Sequence, residues 1–189
     1  MSFYRIFSKI YEAAAKKMCQ DCQSFIRKGS KILDLGCGCG IVGKTFQDFF
    51  QAEIIGVDVK DYRILPLPFQ IYDGFHVPFP DGSFDVVLIN YVLHHSEDPI
   101  ALLKEAKSAT RDKIIIFEDL SEGFLSKLIC KIHGSSFDKF FGNPAKTSFK
   151  TESEWEKIFK ELGLNIISKK RVNNFPVKKQ LFILEFLGT

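Results

Sequence analysis

Three glycines alternate with cysteines directly after a short apolar segment, in the sequence Lys31–Gly40 (KILDLGCGCG). Gly36, Gly38 and Gly40 allow the backbone to turn sharply with positive φ and leave no Cβ between the main chain and a ligand. A helix that begins after such a turn directs its free N–H groups toward it. Asp34 precedes the turn. Its carboxylate would repel a phosphate but would suit a ligand with a cationic or hydrogen-bond-donating part.

A second acid stands at the end of the next apolar segment, Ile54–Asp58 (IIGVD). Asp58 follows Gly36 by 22 residues. In a strand–helix–strand unit, this spacing places the acid at the carboxyl end of the neighbouring parallel strand. There it can accept two hydrogen bonds from the hydroxyls of a ribose. The two segments together therefore predict a site for a small cofactor that contains a ribose.

Two kinds of cofactor share this geometry. The literal dinucleotide pattern G-x-G-x-x-G is present at Gly38, Gly40 and Gly43, which leaves a nicotinamide or flavin site open. The alternative is a site for S-adenosylmethionine, whose ammonium and sulfonium groups carry positive charge. Asp34 favours this alternative, because a pyrophosphate bound at the turn would lie close to its carboxylate.

The chain resembles the class I S-adenosylmethionine-dependent methyltransferases in several motifs that occur in the family's order. Leu33–Gly40 resembles the first motif, and Asp58 stands where the family has its ribose-binding acid. Asp73-Gly74 stands where the family has its third motif, near the adenine. Val77–Leu88, followed by Asn90–His95, is similar to the fourth strand and the turn after it.

This resemblance, which is strong over residues 30–119, implies S-adenosylmethionine as the cofactor and a defined set of residues that bind it. These residues are Asp34, Gly36, Cys37, Gly38, Gly40, Asp58, Val59, Asp73, Gly74, Asn90 and Tyr91. The motifs do not specify the methyl acceptor.

The candidate catalytic residues are expected at the rim of the sheet, where open α/β sheets bind ligands. His94 and His95 lie just beyond the fourth strand, and Glu118 and Asp119 end the fifth. One of the histidines, or Glu118, could deprotonate or orient the acceptor; alternatively, both histidines pack and hydrogen-bond to the backbone. A base is needed only for a hydroxyl, a protonated amine or a carbon acid. No metal site is expected, because nothing fixes a geometry for His94, His95 and Asp98.

Apolar periodicity predicts the elements that position these residues. We expect strands at 31–35, 53–58, 69–72, 84–90, 113–118, 164–172 and 179–187. We expect helices within 3–27, at 41–50, 98–109 and 121–133, and from Thr151, with a loose segment over 134–144. Alternating strands and helices predict a Rossmann-like, doubly wound α/β fold with a mostly parallel seven-stranded sheet. The last two strands are too close in sequence for a crossover, so the C-terminal strand should be antiparallel.

Composition limits the class of protein. The chain has 189 residues, 46% of them hydrophobic, a formal net charge of +3 and five cysteines. This length suits a single domain over residues 1–189, with a helical N-terminal cap at 1–29. No apolar run approaches a bilayer span and no leader is evident, which predicts a cytoplasmic location and free thiols. The net charge is too small to indicate, by itself, a nucleic acid partner.

The acceptor is expected to be a small, partly apolar or aromatic molecule, because aromatic residues are concentrated at both sides of the predicted site. These are Phe3, Tyr4, Phe7 and Tyr11, and, in an insertion at 119–150 that would form part of an acceptor lid, Phe124, Phe137, Phe140, Phe141 and Phe149. The alternatives are an NAD(P)-dependent oxidoreductase, a non-catalytic S-adenosylmethionine-binding module and an RNA methyltransferase. The last would use the basic group Lys169, Lys170, Arg171, Lys178 and Lys179.

Overall fold

The computed structural model of the protein describes residues 5–141, 147–173 and 175–186, without the side chains of 133–141. The chain divides into two compact units. The first unit is Met1–Leu88 with Glu105–Asp112, and the second unit is Ile89–Lys104 with Lys113–Thr189.

Seven strands form one sheet in the order β3-β2-β1-β4-β5-β7-β6. They are β1 (Lys31–Leu35), β2 (Glu53–Asp58), β3 (Phe69–Ile71), β4 (Phe84–Asn90), β5 (Thr110–Leu120), β6 (Leu164–Asn173) and β7 (Lys178–Phe186). β2 pairs in parallel with β1 and with β3, whereas β7 is antiparallel to both β5 and β6. The predicted fold class is confirmed.

Five α-helices alternate with these strands in the described residues. They are α1 (Ser8–Cys22), α2 (Ile41–Phe50), α3 (Pro99–Ala109), α4 (Phe124–Phe141) and α5 (Glu152–Glu161). A short 3₁₀ turn, Leu93–His95, follows β4. None of the helices in these ranges is both long and apolar enough to cross a bilayer.

The prediction of a loose segment from residue 134 was wrong, because α4 continues through Gly134 to Phe141. Gly costs about 1 kcal/mol in a helix interior relative to Ala, which apolar residues on both sides can outweigh. The rest of that segment, 142–144, lies outside the described residues. β5 is also longer than predicted, since it begins at Thr110 rather than at Lys113.

Strands β1 and β2 bring the two acids of the sequence pattern to one edge of the sheet. Asp34 pairs in register with Gly56, so β2 extends two residues further and ends at Asp58. The last four residues of β1 are all buried. Because parallel strands end at the same edge, the glycine turn after β1 lies beside the end of β2.

Helix α5 begins with a capping box. The hydroxyl of Thr151 accepts a hydrogen bond from the Glu154 N–H at 3.3 Å, and the Glu154 carboxylate accepts one from the Thr151 N–H at 2.7 Å. Two helix N–H groups are thereby satisfied. The helix carries the fully buried Trp155 and Phe159 on its inner face, so its start fixes how these rings pack.

We expect Thr151→Ala to lower the free energy of unfolding by about 1 kcal/mol, because the N-cap acceptor is lost. Ser24→Ala, at an exposed position, is the matched control and should change it by less than about 0.5 kcal/mol. Urea unfolding followed by far-UV circular dichroism measures both variants. Equal changes in the free energy of unfolding for the two variants would show that the N-cap hydrogen bond does not stabilise the protein.

Candidate functional site

The glycine turn of the first unit is held against the end of β2 by main-chain hydrogen bonds. The N–H groups of Gly36 and Cys37 both donate to the carbonyl of Val57, at 2.9 and 3.0 Å. The N–H of Gly38 donates to the Asp58 carboxylate at 2.8 Å. The turn and the second acid therefore form one hydrogen-bonded structure.

Each glycine of the turn has a conformation that side chains disfavour. φ is +80° at Gly36, +50° at Gly38 and +77° at Gly40. A Cβ added at Gly38 would meet no heavy atom within 4 Å, so the backbone there faces open space. Gly40 is also the N-cap of α2, whose first N–H groups point back toward the turn. This geometry can receive a ligand directly on the main chain.

Asp34 is almost completely buried, with 1% of its surface exposed. Its carboxylate lies against helix α2 at Gly43, and neither oxygen makes a hydrogen bond of normal geometry among the described residues. Burial, together with the charge of Asp58, raises the pKa of Asp34 to about 7, although the Gly43 N–H opposes the rise. The site therefore contains a carboxyl that a nearby positive charge would return to its ionised form.

Asp58 is less buried, and its carboxylate is hydrogen-bonded. One oxygen accepts the N–H of Gly38 and the other accepts the N–H of Val59, both at 2.8 Å. Burial raises the pKa of Asp58, and these backbone donors oppose that rise. Each carboxylate oxygen can accept more than one hydrogen bond, so Asp58 retains the capacity to bind ribose hydroxyls.

Two glycines that are not among the predicted site residues allow close packing around the site. A Cβ on Gly43 would lie 2.6 Å from an Asp34 carboxylate oxygen, and a Cβ on Gly56 would lie 2.7 Å from the Cys37 sulfur. Both positions therefore require glycine for close packing. In the sequence, Gly43 is the last glycine of the dinucleotide pattern; in the structure, it makes room for Asp34.

The connection from β2 to β3 contains no helix, and Pro66 and Pro68 favour its extended conformation. It contacts the glycine turn directly, since the Ile64 N–H donates to the Cys39 carbonyl at 3.0 Å. The guanidinium of Arg63 lies 4.3 Å from the centre of the Phe69 ring and pairs with Asp61 at 2.8 Å. Arg63 was not among the predicted site residues, because no motif marks it.

Asp73 organises its own loop. Its carboxylate accepts the N–H groups of Phe75 and His76, both at 2.7 Å, and pairs with the His76 ring at 2.8 Å. The hydrogen bond from His76 lowers the pKa of Asp73 to about 2. Gly74 has a φ of +89°. The Asp73 side chain thus fixes the conformation of a turn.

In the second unit, the end of β4 combines a strained backbone with an unsatisfied buried amide. Tyr91 has a φ of +57°, which is rare for a residue with a large side chain. Its N–H donates to the Phe117 carbonyl at 2.8 Å, and the Lys179 ammonium lies 4.2 Å from the centre of its ring. The amide oxygen of Asn90 is buried and has no hydrogen bond within the described residues. Strain and unsatisfied groups of this kind cluster at functional sites.

His94 and Glu118 form a buried pair in the same unit. The His94 Nδ1 is hydrogen-bonded to the Glu118 carboxylate, and the two side chains are 1% and 0% exposed. The His94 ring stacks on Phe149 with centroids 4.5 Å apart. Burial raises the pKa of Glu118, and the N–H of Asp119 opposes this rise. The pair is enclosed by protein, so neither side chain is open to a diffusing molecule.

His95 differs from His94 because it is partly exposed, while its ring lies 4.0 Å from that of His94. The other acid at the end of β5, Asp119, pairs with Lys179 at 3.2 Å. Among the residues that the structure describes, no group of three or more His, Cys, Asp or Glu side chains could hold a metal ion.

The aromatic residues proposed for the acceptor separate into distinct groups. Phe3 and Tyr4, and the side chains of Phe137, Phe140 and Phe141, lie outside the described residues. Phe7, just before α1, and Tyr11, on α1, are partly exposed, and Phe124 is 85% exposed. Phe149 packs on His94. Of the aromatic side chains that the structure describes in the 119–150 insertion, Phe149 is thus the one joined to a candidate catalytic residue.

Comparison with known proteins identifies similar chains. Residues 5–169 match the family model of a methyltransferase domain. A sterol 24-C-methyltransferase of Aspergillus fumigatus is 31% identical in an alignment of 96 residues, and the match covers 44% of this chain and 26% of that protein. A tRNA U34 carboxymethyltransferase of Campylobacter curvus is 28% identical in an alignment of 102 residues, and the match covers 48% of this chain and 34% of that protein. The chain thus matches only about a quarter to a third of these relatives' length.

A solved structure from Methanosarcina mazei, of a SAM-dependent methyltransferase, is similar with a TM-score of 0.67. The two chains are 17% identical, and the match covers 89% of this chain and 97% of that one. At this identity, the likeness shows a shared fold.

We expect Asp34→Asn to stabilise the protein above neutral pH. The pKa in the folded protein, about 7, lies above the ordinary 3.8, so stability falls as pH rises from about 4 to 7. The variant should be less stable than the parent by about 1–3 kcal/mol at pH 4, where the parent carboxyl is neutral in the folded protein, and should gain about 1–3 kcal/mol at pH 8. This is less than the ~4 kcal/mol that three pKa units represent, because the Asn amide is also buried.

The measurement is urea unfolding of both proteins at several pH values. Asp48→Asn, at an exposed carboxylate on α2, provides the control and should show no such pH-dependent gain. A parallel pH dependence for Asp34→Asn and the parent would contradict the interpretation.

Proposed function

This chain belongs to the methyltransferase-domain family, and we propose that it transfers a methyl group from S-adenosylmethionine to a small, partly apolar or aromatic acceptor. The observation that carries the proposal is the hydrogen bond between Asp58 and Gly38, which joins an acid and a side-chain-free turn at adjacent strand ends. Dinucleotide sites also use such a turn, but the buried Asp34 carboxylate beside it suits a cation better than a pyrophosphate.

The residues of the first unit fit this cofactor. We propose that Asp58 accepts the ribose hydroxyls, while the backbone of Gly36, Gly38 and Gly40 faces the amino acid end. Asp34 is too enclosed to touch a ligand, so its contribution is its charge. A cation bound at the turn would favour the ionised form of Asp34, which offsets the cost of its burial.

S-adenosylmethionine supplies an activated methyl group on a sulfonium that leaves as a neutral thioether. The protein therefore needs mainly to hold an acceptor in line and to exclude water, and such positioning can supply about 7–11 kcal/mol of the barrier. We propose that Asn90 and Tyr91 contribute to this positioning. The Asn90 amide oxygen is buried and could accept a hydrogen bond from a ligand. The hydrogen bond from the Tyr91 N–H to the Phe117 carbonyl stabilises the strained backbone of Tyr91.

Of the three proposed catalytic residues, His94 and Glu118 are better suited to positioning than to contact with the acceptor, because both are buried. Glu118 fixes the orientation of the His94 ring, and the His94 carbonyl accepts the Ser148 N–H at 2.8 Å. The pair thereby ties the turn after β4 to the end of the insertion. His95 is partly exposed and is our candidate for a base, where the acceptor needs one.

Two observations bear on the chemical class of the acceptor. Phe149, stacked on His94, supports an apolar or aromatic acceptor, and the Aspergillus fumigatus relative is named for an apolar one, a sterol. The Campylobacter curvus relative is named for a tRNA, which keeps an RNA methyltransferase as the alternative.

The basic group near the C-terminus is less suited to RNA than its sequence implies. Lys169 contacts Glu152 and Glu156, both at 2.7 Å, and Arg171 contacts Glu152 at 2.6 Å. Lys178 likewise contacts the Glu122 carboxylate, at 3.3 Å. Cations whose charge is already neutralised by neighbouring carboxylates attract phosphates weakly. A small acceptor is therefore the better-supported proposal.

Isothermal titration with S-adenosylmethionine, S-adenosylhomocysteine and NAD tests the cofactor assignment. We expect binding of the first two and none of NAD. Asp58→Ala should weaken S-adenosylmethionine about 10–100-fold, or about 1.4–2.7 kcal/mol, because the ribose acceptor and the anchor of the turn are both lost. Asp61→Ala, at an exposed acid three residues away, should bind like the parent. Unchanged affinity in a folded Asp58→Ala variant would refute the proposed site.

Transfer of labelled methyl groups into a metabolite extract, measured against pH, tests the catalytic assignment. If the acceptor needs a base, His95→Gln should lower the rate about 10²-fold or more and remove the acidic limb of the pH profile. His94→Gln should instead lower the rate without changing the shape of the profile. The reverse pattern would exchange the two roles, and no transfer by the parent would favour a non-catalytic binding module.

A further inference from the structure

Helix α4 has two chemically different sides. On its inner side, Ser126 and Cys130 are buried, and the Ser126 hydroxyl donates to the Leu120 carbonyl at 2.6 Å. Four large apolar side chains point outward instead. They are Phe124, Leu125, Leu128 and Ile132, which are 85%, 44%, 45% and 58% exposed.

The spacing of these residues makes one continuous stripe. At 3.6 residues per turn, the four positions fall within an arc of about 100°. Lys127 and Lys131, both exposed and one turn apart, lie along one border of this arc. We define the outer face of α4 as these four apolar residues and two lysines. Exposed apolar stripes of this kind commonly mark interaction surfaces.

The outer face itself carries positive charge only, although the Glu154 carboxylate of α5 interacts electrostatically with Lys127. Residues 123–132 contain both lysines and no acid. Glu122, just before the helix, is already bound to Lys178 and Arg171. A partner surface for this face should therefore offer apolar groups together with negative charge.

We propose that the outer face of α4 docks on an anionic lipid surface. Helices that lie in a membrane interface place Phe and Leu among the acyl chains and Lys among the headgroups, which is the arrangement seen here. Anionic headgroups attract lysines close to the surface. A second copy of the chain is a poorer partner. A symmetric pairing of two outer faces would place Lys127 and Lys131 of one copy against the same lysines of the other, and these like charges repel. Docking of the outer face on lipid does not require the proposed methyl transfer.

Flotation with vesicles tests this proposal on the full chain. The parent should bind phosphatidylcholine vesicles that contain about 30% phosphatidylglycerol, and bind pure phosphatidylcholine at least about tenfold more weakly. Phe124→Ser with Leu128→Ser should lower the partition coefficient about tenfold or more, because two of the exposed apolar anchors are removed. Lys127→Gln with Lys131→Gln should lower it several-fold, an effect that high salt reproduces in the parent.

Matched controls lie on other helices. Phe49→Ser removes an apolar side chain of α2 that is 44% exposed, and Lys157→Gln with Lys160→Gln removes two exposed charges from α5. Both controls should bind vesicles like the parent, and circular dichroism checks that every variant is folded. The proposal is overturned if the parent does not bind anionic vesicles, if controls and outer-face variants lose binding equally, or if sedimentation reveals a dimer that the outer-face variants dissociate.

Discussion

The hydrogen bond from the Gly38 N–H to the Asp58 carboxylate is the interaction on which the candidate site depends. It works because β1 and β2 are parallel neighbours, so that the glycine turn after one strand meets the terminal acid of the other. The Val57 carbonyl reinforces the same junction by accepting two further N–H groups of the turn. Strand pairing therefore sets the position of the turn. Because α2 begins directly after the turn, the turn also sets the direction in which the helix starts.

This junction has an energetic cost that the rest of the fold must offset. Asp34 is enclosed without a hydrogen bond of normal geometry among the described residues, which disfavours its ionised form. Gly43 and Gly56 allow the close approach, but each also adds freedom to the unfolded chain. A buried carboxyl of this kind is expected where function, rather than stability, selected the residue.

Local patterns explain how much could be predicted. β1, α2 and β2 follow from apolar runs broken by glycines, so their bounds and the site's main acids were evident in the sequence. The enclosure of Asp34 depends on how closely α2 packs at Gly43, which no local pattern encodes. Likewise, the burial of His94 and Glu118 results from packing in the second unit, and the neutralisation of the basic group results from acids that are distant in sequence. Local sequence patterns therefore identified the candidate residues, whereas tertiary packing determines which of them a ligand could reach.

The helix-free connection between β2 and β3 has a consequence for turnover. In residues 59–68, the Ile64 N–H attaches the main chain to the glycine turn, while the Pro68 carbonyl accepts the Gly56 N–H at 2.8 Å and Leu67 is buried. The connection is therefore anchored at its end, whereas residues 59–64 make few hydrogen bonds to the rest of the unit, and segments of this kind open locally at little cost. If S-adenosylmethionine binds at the glycine turn as proposed, local opening of residues 59–64 would release the spent cofactor, and its residence time would depend on this opening rather than on movement of the sheet.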